Sequence, residues 1–191
     1  MSPKEHTAMS VIDEVDVRAL QENVEALRAD PGPARATFAV GGSWQGGFRV
    51  TTRTGALTQG GERDETRIAK FEMSSDEPVA ALGTDTAPTP AEFVLHALAG
   101  CYTVTIATHA ALRGIELKGI GLELEADIDV RGSLGIGTSV RPGLQQIRIR
   151  VDLDAPEAGR SQLEELVSVV EGRSAIRDTL AHPVEVVTTL A

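Results

Sequence analysis

Cys101 is the one cysteine among 191 residues. The thiolate is the nucleophilic form of cysteine, so this side chain is the first candidate for chemistry. It sits inside residues 93–112, FVLHALAGCYTVTIATHAAL, a run with no acidic or basic charge. It does not stand at a helix N-terminus, so activation would require a cation or donor from elsewhere in the fold. Read from composition alone, a lone cysteine on an apolar helix is a small core residue, and that reading stands beside the reactive one. His96 and His109 flank it, about 140° and 80° round a helix, so neither stacks on the sulfur. Their separation does not suit two ligands of one metal, and one thiol cannot build a structural zinc site, so no metal is expected. His6 falls in the N-terminal tail and His182 in a turn. The glycine-rich stretch 131–139, RGSLGIGTS, is neither a phosphate loop nor a dinucleotide fingerprint, and no cofactor is expected. No G-x-S-x-G is present either.

The run that carries Cys101 opens on Thr89-Pro90-Ala91-Glu92. Thr89 at the N-cap, Pro90 at the first helical position and Glu92 reaching back make a capping box. The helix should extend to about Arg113, with Gly114 just past its end. Being apolar nearly all round, it should be buried nearly all round. Its length would suffice to span a bilayer, but its histidines and threonines favour a buried core helix. Ahead of it, residues 15–29 show Val17, Leu20, Val24 and Leu27 on one helical face, with Asp16 as N-cap and Asp30-Pro31-Gly32-Pro33 as a stop. Residues 36–40, 48–53 and 67–73 read as strands, with turns at Gly41-Gly42 and Gln59-Gly60-Gly61. Residues 74–87 read as a loop. After the helix, residues 119–130 and 144–153 alternate apolar with polar. Their wet faces carry Glu123, Glu125, Asp127 and Asp129 against Arg148 and Arg150, which predicts an antiparallel pair. A second helix over 156–171, a short helical turn at 174–180 and a last strand at 184–188 complete an α+β fold with antiparallel sheets around a long buried central helix.

Apolar residues at 41% are enough for a core, while aromatics at 3% leave it to Ala, Val, Leu and Ile. A net charge of −10 disfavours nucleic acid and anionic membranes as partners. The N-terminal MSPKEHTAMS has no apolar run and does not read as a signal peptide, so a cytoplasmic location is expected. Residues 1–35 are read as an extension bearing the short amphipathic helix, and residues 36–191 as the main domain.

From Asp85 onward the run DTAPTPAEFVLHALAGCYTVTIATHAALRGIELKGIGLELEADIDVRG resembles the OsmC/Ohr family, with a helix-opening proline and a cysteine eleven residues on. LEELVSVVEGRSAIRDTLAHPVEV is similar to the family's second helix and last strand. The resemblance implies an interlocked homodimer with sites at its interface. It also implies a peroxidatic cysteine that attacks hydroperoxides and is recycled through a second cysteine, with an Arg holding the thiolate and a Glu orienting the Arg. By that likeness Cys101 is the peroxidatic residue. Ser174 stands where the second cysteine would be, so a disulfide cycle within the chain is not expected. Ala91 occupies the family's glutamate position and Glu92 follows it. Arg53 is the first choice for the activating arginine and Arg67 the second. Two functions follow: a one-cysteine hydroperoxide reductase recycled by an external thiol in oxidative stress defence, or a non-catalytic protein binding a small apolar or electrophilic ligand at the dimer interface.

Overall fold

The computed structural model describes residues 11–12, 15–137, 139–182 and 184–190. The chain divides into two compact units. One spans Arg18–Phe93; the other is made by the described parts of Met1–Val17 and Val94–Ala191.

The second of these units opens on a short antiparallel pair, β1 (Val11–Ile12) and β2 (Val15–Asp16). The amphipathic helix α1 therefore begins at Val17 and runs to Ala29, one residue after the expected cap. Its predicted apolar face is its least exposed one: Val17 is buried, and Leu20, Val24 and Leu27 are half-buried.

The Arg18–Phe93 unit holds two three-stranded antiparallel sheets. β3 (Ala36–Thr37) pairs with β6 (Leu57–Gln59), which pairs with β7 (Glu62–Asp64). β4 (Val40–Trp44) pairs with β5 (Val50–Thr54), which pairs with β8 (Glu72–Ser75). Gly41-Gly42 is not the turn expected of it but lies inside β4, opposite Arg53 and Thr52. A Cβ on Gly42 would come within 2.9 Å of the Thr52 methyl, so the glycine there permits close strand approach. The turn falls at Gly46 and Gly47, whose φ values of 91° and 59° are open to glycine. Residues 67–70 are also not strand. The Thr54 hydroxyl donates to the Arg67 carbonyl at 2.6 Å and the Thr54 carbonyl accepts from Ala69 N–H at 2.7 Å, folding the segment over the end of β5. The Gln59-Gly60-Gly61 turn is as expected, and it joins β6 to β7, two strands that the alternation did not reveal.

The loop after β8 is organised by a buried carboxylate. Asp76 accepts from the backbone N–H groups of Glu77, Thr84 and Thr86 and from the hydroxyls of Thr84 and Thr86. Besides Asp76, the buried residues of this unit are Ala56 and Ser75, among those described. Phe38, Val40, Trp44 and Phe48 are all exposed, Trp44 at 75%.

The central helix α2 (Pro90–Leu112) opens with the predicted capping box: Thr89 N–H donates to Glu92 Oε2 at 2.7 Å, and Glu92 N–H to Thr89 Oγ1 at 3.2 Å. It ends as expected at Gly114, with φ 68°, and Ile115 N–H closes the end on the Ala110 carbonyl. By length and composition it is a helix that could cross a membrane. Leu98, Tyr102, Ile106 and Ala110 give it a buried face. Burial nearly all round is not met by the elements of residues 94–191, however. His96, Ala97, Gly100, Thr103 and Val104 are exposed, Val104 at 66%, because the elements of residues 94–191 cover one side only.

That cover is a hairpin of nine-residue strands, β9 (Gly119–Asp127) and β10 (Gln146–Asp154), followed by helix α4 (Arg160–Arg173) and helix α5 (Ala175–Ala181). Leu122, Leu124, Ile147, Ile149 and Val151 turn inward, and Leu166 and Val170 of α4 are fully buried against the same cluster. On the outer face Arg148 pairs with Glu125 and Asp127, and Arg150 with Glu123, as the charge pattern anticipated. A one-turn helix, α3 (Val130–Ser133), capped by the Asp129 carboxylate, interrupts the glycine-rich connection. Residues 184–190 are exposed and not in strand, contrary to the expected last strand; they pair with no strand among the described residues.

Candidate functional site around Cys101 and the adjoining cleft

Cys101 lies near the middle of α2, half-buried and as a free thiol. It sits one position before Tyr102, on the flank of the helix face that meets the core. Its carbonyl accepts a bond from the Thr105 hydroxyl at 2.8 Å, a local contact that leaves the sulfur uninvolved.

Beside that face is a cleft of about 600 Å³. Val94, Leu98 and Tyr102 form one wall; they follow one another at intervals of four residues and therefore share a stripe of the helix. Ile147 and Ile149 of β10 form a second wall, and Leu180 and Ala181 of α5 a third. Arg141 and Arg177 enter it from the β9–β10 connection and from α5. The charge of Arg177 acts on the Tyr102 hydroxyl. Burial raises the Tyr102 pKa above the ordinary phenol value, and Arg177 opposes that shift only in part, so the hydroxyl stays protonated at neutral pH.

Ser174 joins α4 to α5 and is 1% exposed. Its side chain caps α5 by accepting from Arg177 N–H at 3.4 Å. Four residues earlier on the same stripe is Val170, a member of the cluster that contains Tyr102. Cys101 and Ser174 thus belong to the same unit and border the same core.

The other two residues named from the sequence are engaged elsewhere. Arg53 is on β5, where its guanidinium pairs with Glu72 across the strand at 2.6 Å. The carboxylate of Glu92 is held by the Thr89 N–H in the helix cap. Arg67 lies over the Phe71 ring at 5.6 Å. His96 is exposed. The His109 pKa is lowered, by burial first and then by Arg113 and Arg173. No cluster of three or more potential metal ligands occurs among the described residues. Sequence reading missed Tyr102, Arg141 and Arg177. Tyr102 is the one tyrosine and adjoins Cys101, a signal that was available; the arginines meet it only through long-range packing.

The architecture is that of an α+β protein in which antiparallel strands cover a cysteine-bearing helix. The family model for OsmC-like proteins matches residues 83–189, more than half of the chain, and the chain belongs to that family. No curated protein matches it. Among solved structures, it is similar to an OsmC-like protein from Mycoplasma pneumoniae (TM-score 0.61, 16% identity, 77% of this chain and 89% of that one). It is also similar to an organic hydroperoxide resistance protein, OsmC, from Legionella pneumophila (TM-score 0.53, 13% identity, 75% and 88%). At these identities the likeness is one of fold.

Proposed function

We propose that the protein is a cytoplasmic, homodimeric one-cysteine hydroperoxide reductase of the oxidative stress response. The observation that carries the reading is a free, half-buried thiol on the core helix of an OsmC-like chain, next to a largely apolar cleft. The Cys101 thiolate attacks the terminal oxygen of an organic hydroperoxide. The O–O bond breaks, the alkoxide takes a proton and leaves as the alcohol, and the sulfur becomes a sulfenic acid. An external thiol attacks that sulfur, releasing water and forming a mixed disulfide. A second external thiol then frees Cys101 and departs as the oxidised disulfide. With Ser174 at the second position, the reductant must come from outside. Arg53 is proposed as the thiolate's cation. The carboxylate that orients it is then Glu72, since Glu92 serves the cap.

Dimerisation draws support from the uncovered face of α2 and from the exposed Phe38, Val40 and Trp44 in a unit with little buried surface of its own. The test is hydroperoxide consumption with several thiol reductants, for the wild type and Cys101→Ser. Thiol-dependent turnover lost in the variant supports the reading. Failure of every reductant, with Cys101 left reduced, overturns it. The second reading, ligand binding without turnover, is favoured by the engagement of Arg53 and Glu92 in local pairs.

A further inference from the structure

We propose that the cleft bordered by α2, β10 and α5 binds a small amphipathic carboxylate, its apolar chain against Leu98, Ile147 and Ile149 and its head on Arg141 and Arg177. At about 600 Å³ the cleft lies in the range of small-molecule sites. Its walls are mostly apolar, yet two arginines line it in a chain of net charge −10. That arrangement is complementary to an apolar body with one anionic end and repels a cationic one.

Both arginines have donors to spare. A guanidinium carries five N–H groups in a planar fork that matches a carboxylate. Arg141 donates to the Leu144 carbonyl and makes no ion pair with a described residue. Arg177 donates Nη1 to the Glu171 carbonyl at 2.9 Å, but its charged contact to Glu171 Oε1 is 3.8 Å, too long for a hydrogen bond. Tyr102, also in the lining, carries a protonated hydroxyl that is a further donor. Replacing the head by a neutral alcohol keeps the apolar contacts and forfeits the charge-assisted bonds. The site does not depend on the reaction at Cys101, whose side chain is not part of its wall.

The experiment is calorimetric titration of the full chain with sodium octanoate, octan-1-ol and sodium butyrate, at low ionic strength. Octanoate is expected to bind at least about tenfold tighter than either control. Arg141→Gln and Arg177→Gln should each weaken octanoate about tenfold and leave octan-1-ol unchanged, while Cys101→Ser binds octanoate as the wild type does. Circular dichroism checks folding, and Arg141→Gln, on a connecting turn, serves if Arg177→Gln does not fold. Octanoate binding no tighter than octan-1-ol, or undiminished in Arg141→Gln, overturns the proposal. So does an absence of octanoate binding with a changed oligomeric state in the arginine variants, which would assign the cleft to a second copy of the chain.

Discussion

The hydroxyl of Ser174 accepts the backbone N–H of Arg177 at 3.4 Å, so the residue proposed here to occupy the second-cysteine position is a buried helix cap. Sulfur is a weak acceptor, so Ser174→Cys gives up most of that cap, at about 0.5–1 kcal/mol. The fold should tolerate this, because the two side chains are close in size. If Ser174 lies over Cys101, peroxide treatment of the variant should yield a cross-link between Cys101 and the introduced thiol in peptide maps run without reductant. A bridge needs Cα atoms within about 7 Å, which makes the result sensitive to a register error of one or two residues. Oxidised Cys101 without the cross-link would show that the second position was assigned wrongly.

The wild-type thiol should itself react. Mass spectrometry after cumene hydroperoxide treatment is expected to find a sulfenic acid, or its trapped adduct, at Cys101 in most of the protein. Without added thiol, turnover should stop after about one equivalent, since nothing in the described chain resolves the sulfenate. Cys101→Ser should reduce consumption to background. If folded protein stays reduced while a denatured control oxidises, Cys101 is a packing residue and the binding reading takes over.

Elements that leave a local or periodic trace were legible from sequence, whereas those set only by partners far along the chain were not. The capping box at Thr89 and Glu92 and the stop at Gly114 follow from short spacings, and the charged ladder of β9 and β10 shows as alternation within each strand, although its partners are 21 and 27 residues apart. Gly41-Gly42 misled because a glycine pair reads as a turn, while strand-to-strand approach at Thr52 can require the same residue. Residues 67–70 alternate like a strand, but the Thr54 hydroxyl and carbonyl fold them away from the ladder. The convergence of Arg141, Arg177 and Tyr102 joins three separate segments and left no periodic trace.

Asp76 should make acid stability depend on one carboxylate. The Thr84 hydroxyl bond, opposed by burial and reinforced by the Glu77 and Thr86 donors, holds its pKa far below the ordinary carboxylate value of 3.8. The folded state therefore releases this proton more readily than the unfolded chain does. The resulting stability is complete above about pH 5, and it is lost as the pH falls through 3.8 towards the folded pKa. Asp76→Asn keeps the shape but removes the charge and one acceptor. Its melting temperature should fall by several degrees at pH 7, and the gap to wild type should narrow below pH 3.8. A constant gap across pH 2–7, followed by calorimetry, would remove Asp76 from the account.

Val104 offers the sharpest test of the dimer. It is 66% exposed on α2, beside Gly100 and Thr103, on the side that the elements of residues 94–191 leave uncovered. An isolated exposed valine has no consequence, and its replacement by glutamate at a wet surface shifts stability by no more than about 0.5 kcal/mol. At an interface between copies the same change buries a charge with no partner, and by symmetry it does so twice, once from each chain. Val104→Glu should therefore convert the protein to monomer, or unfold it, at concentrations where the wild type is a dimer by light scattering. An obligate dimer also has a melting temperature that rises with protein concentration, which the wild type should show over a hundredfold dilution series. Cys101 lies three residues before Val104, so loss of the dimer should also slow the thiol's reaction with hydroperoxide if the site is completed at the interface. A monomeric wild type at micromolar concentration would remove the dimer from the proposal. A dimer in which Val104→Glu is silent would place the interface on another surface, such as the exposed strip of Phe38, Val40 and Trp44.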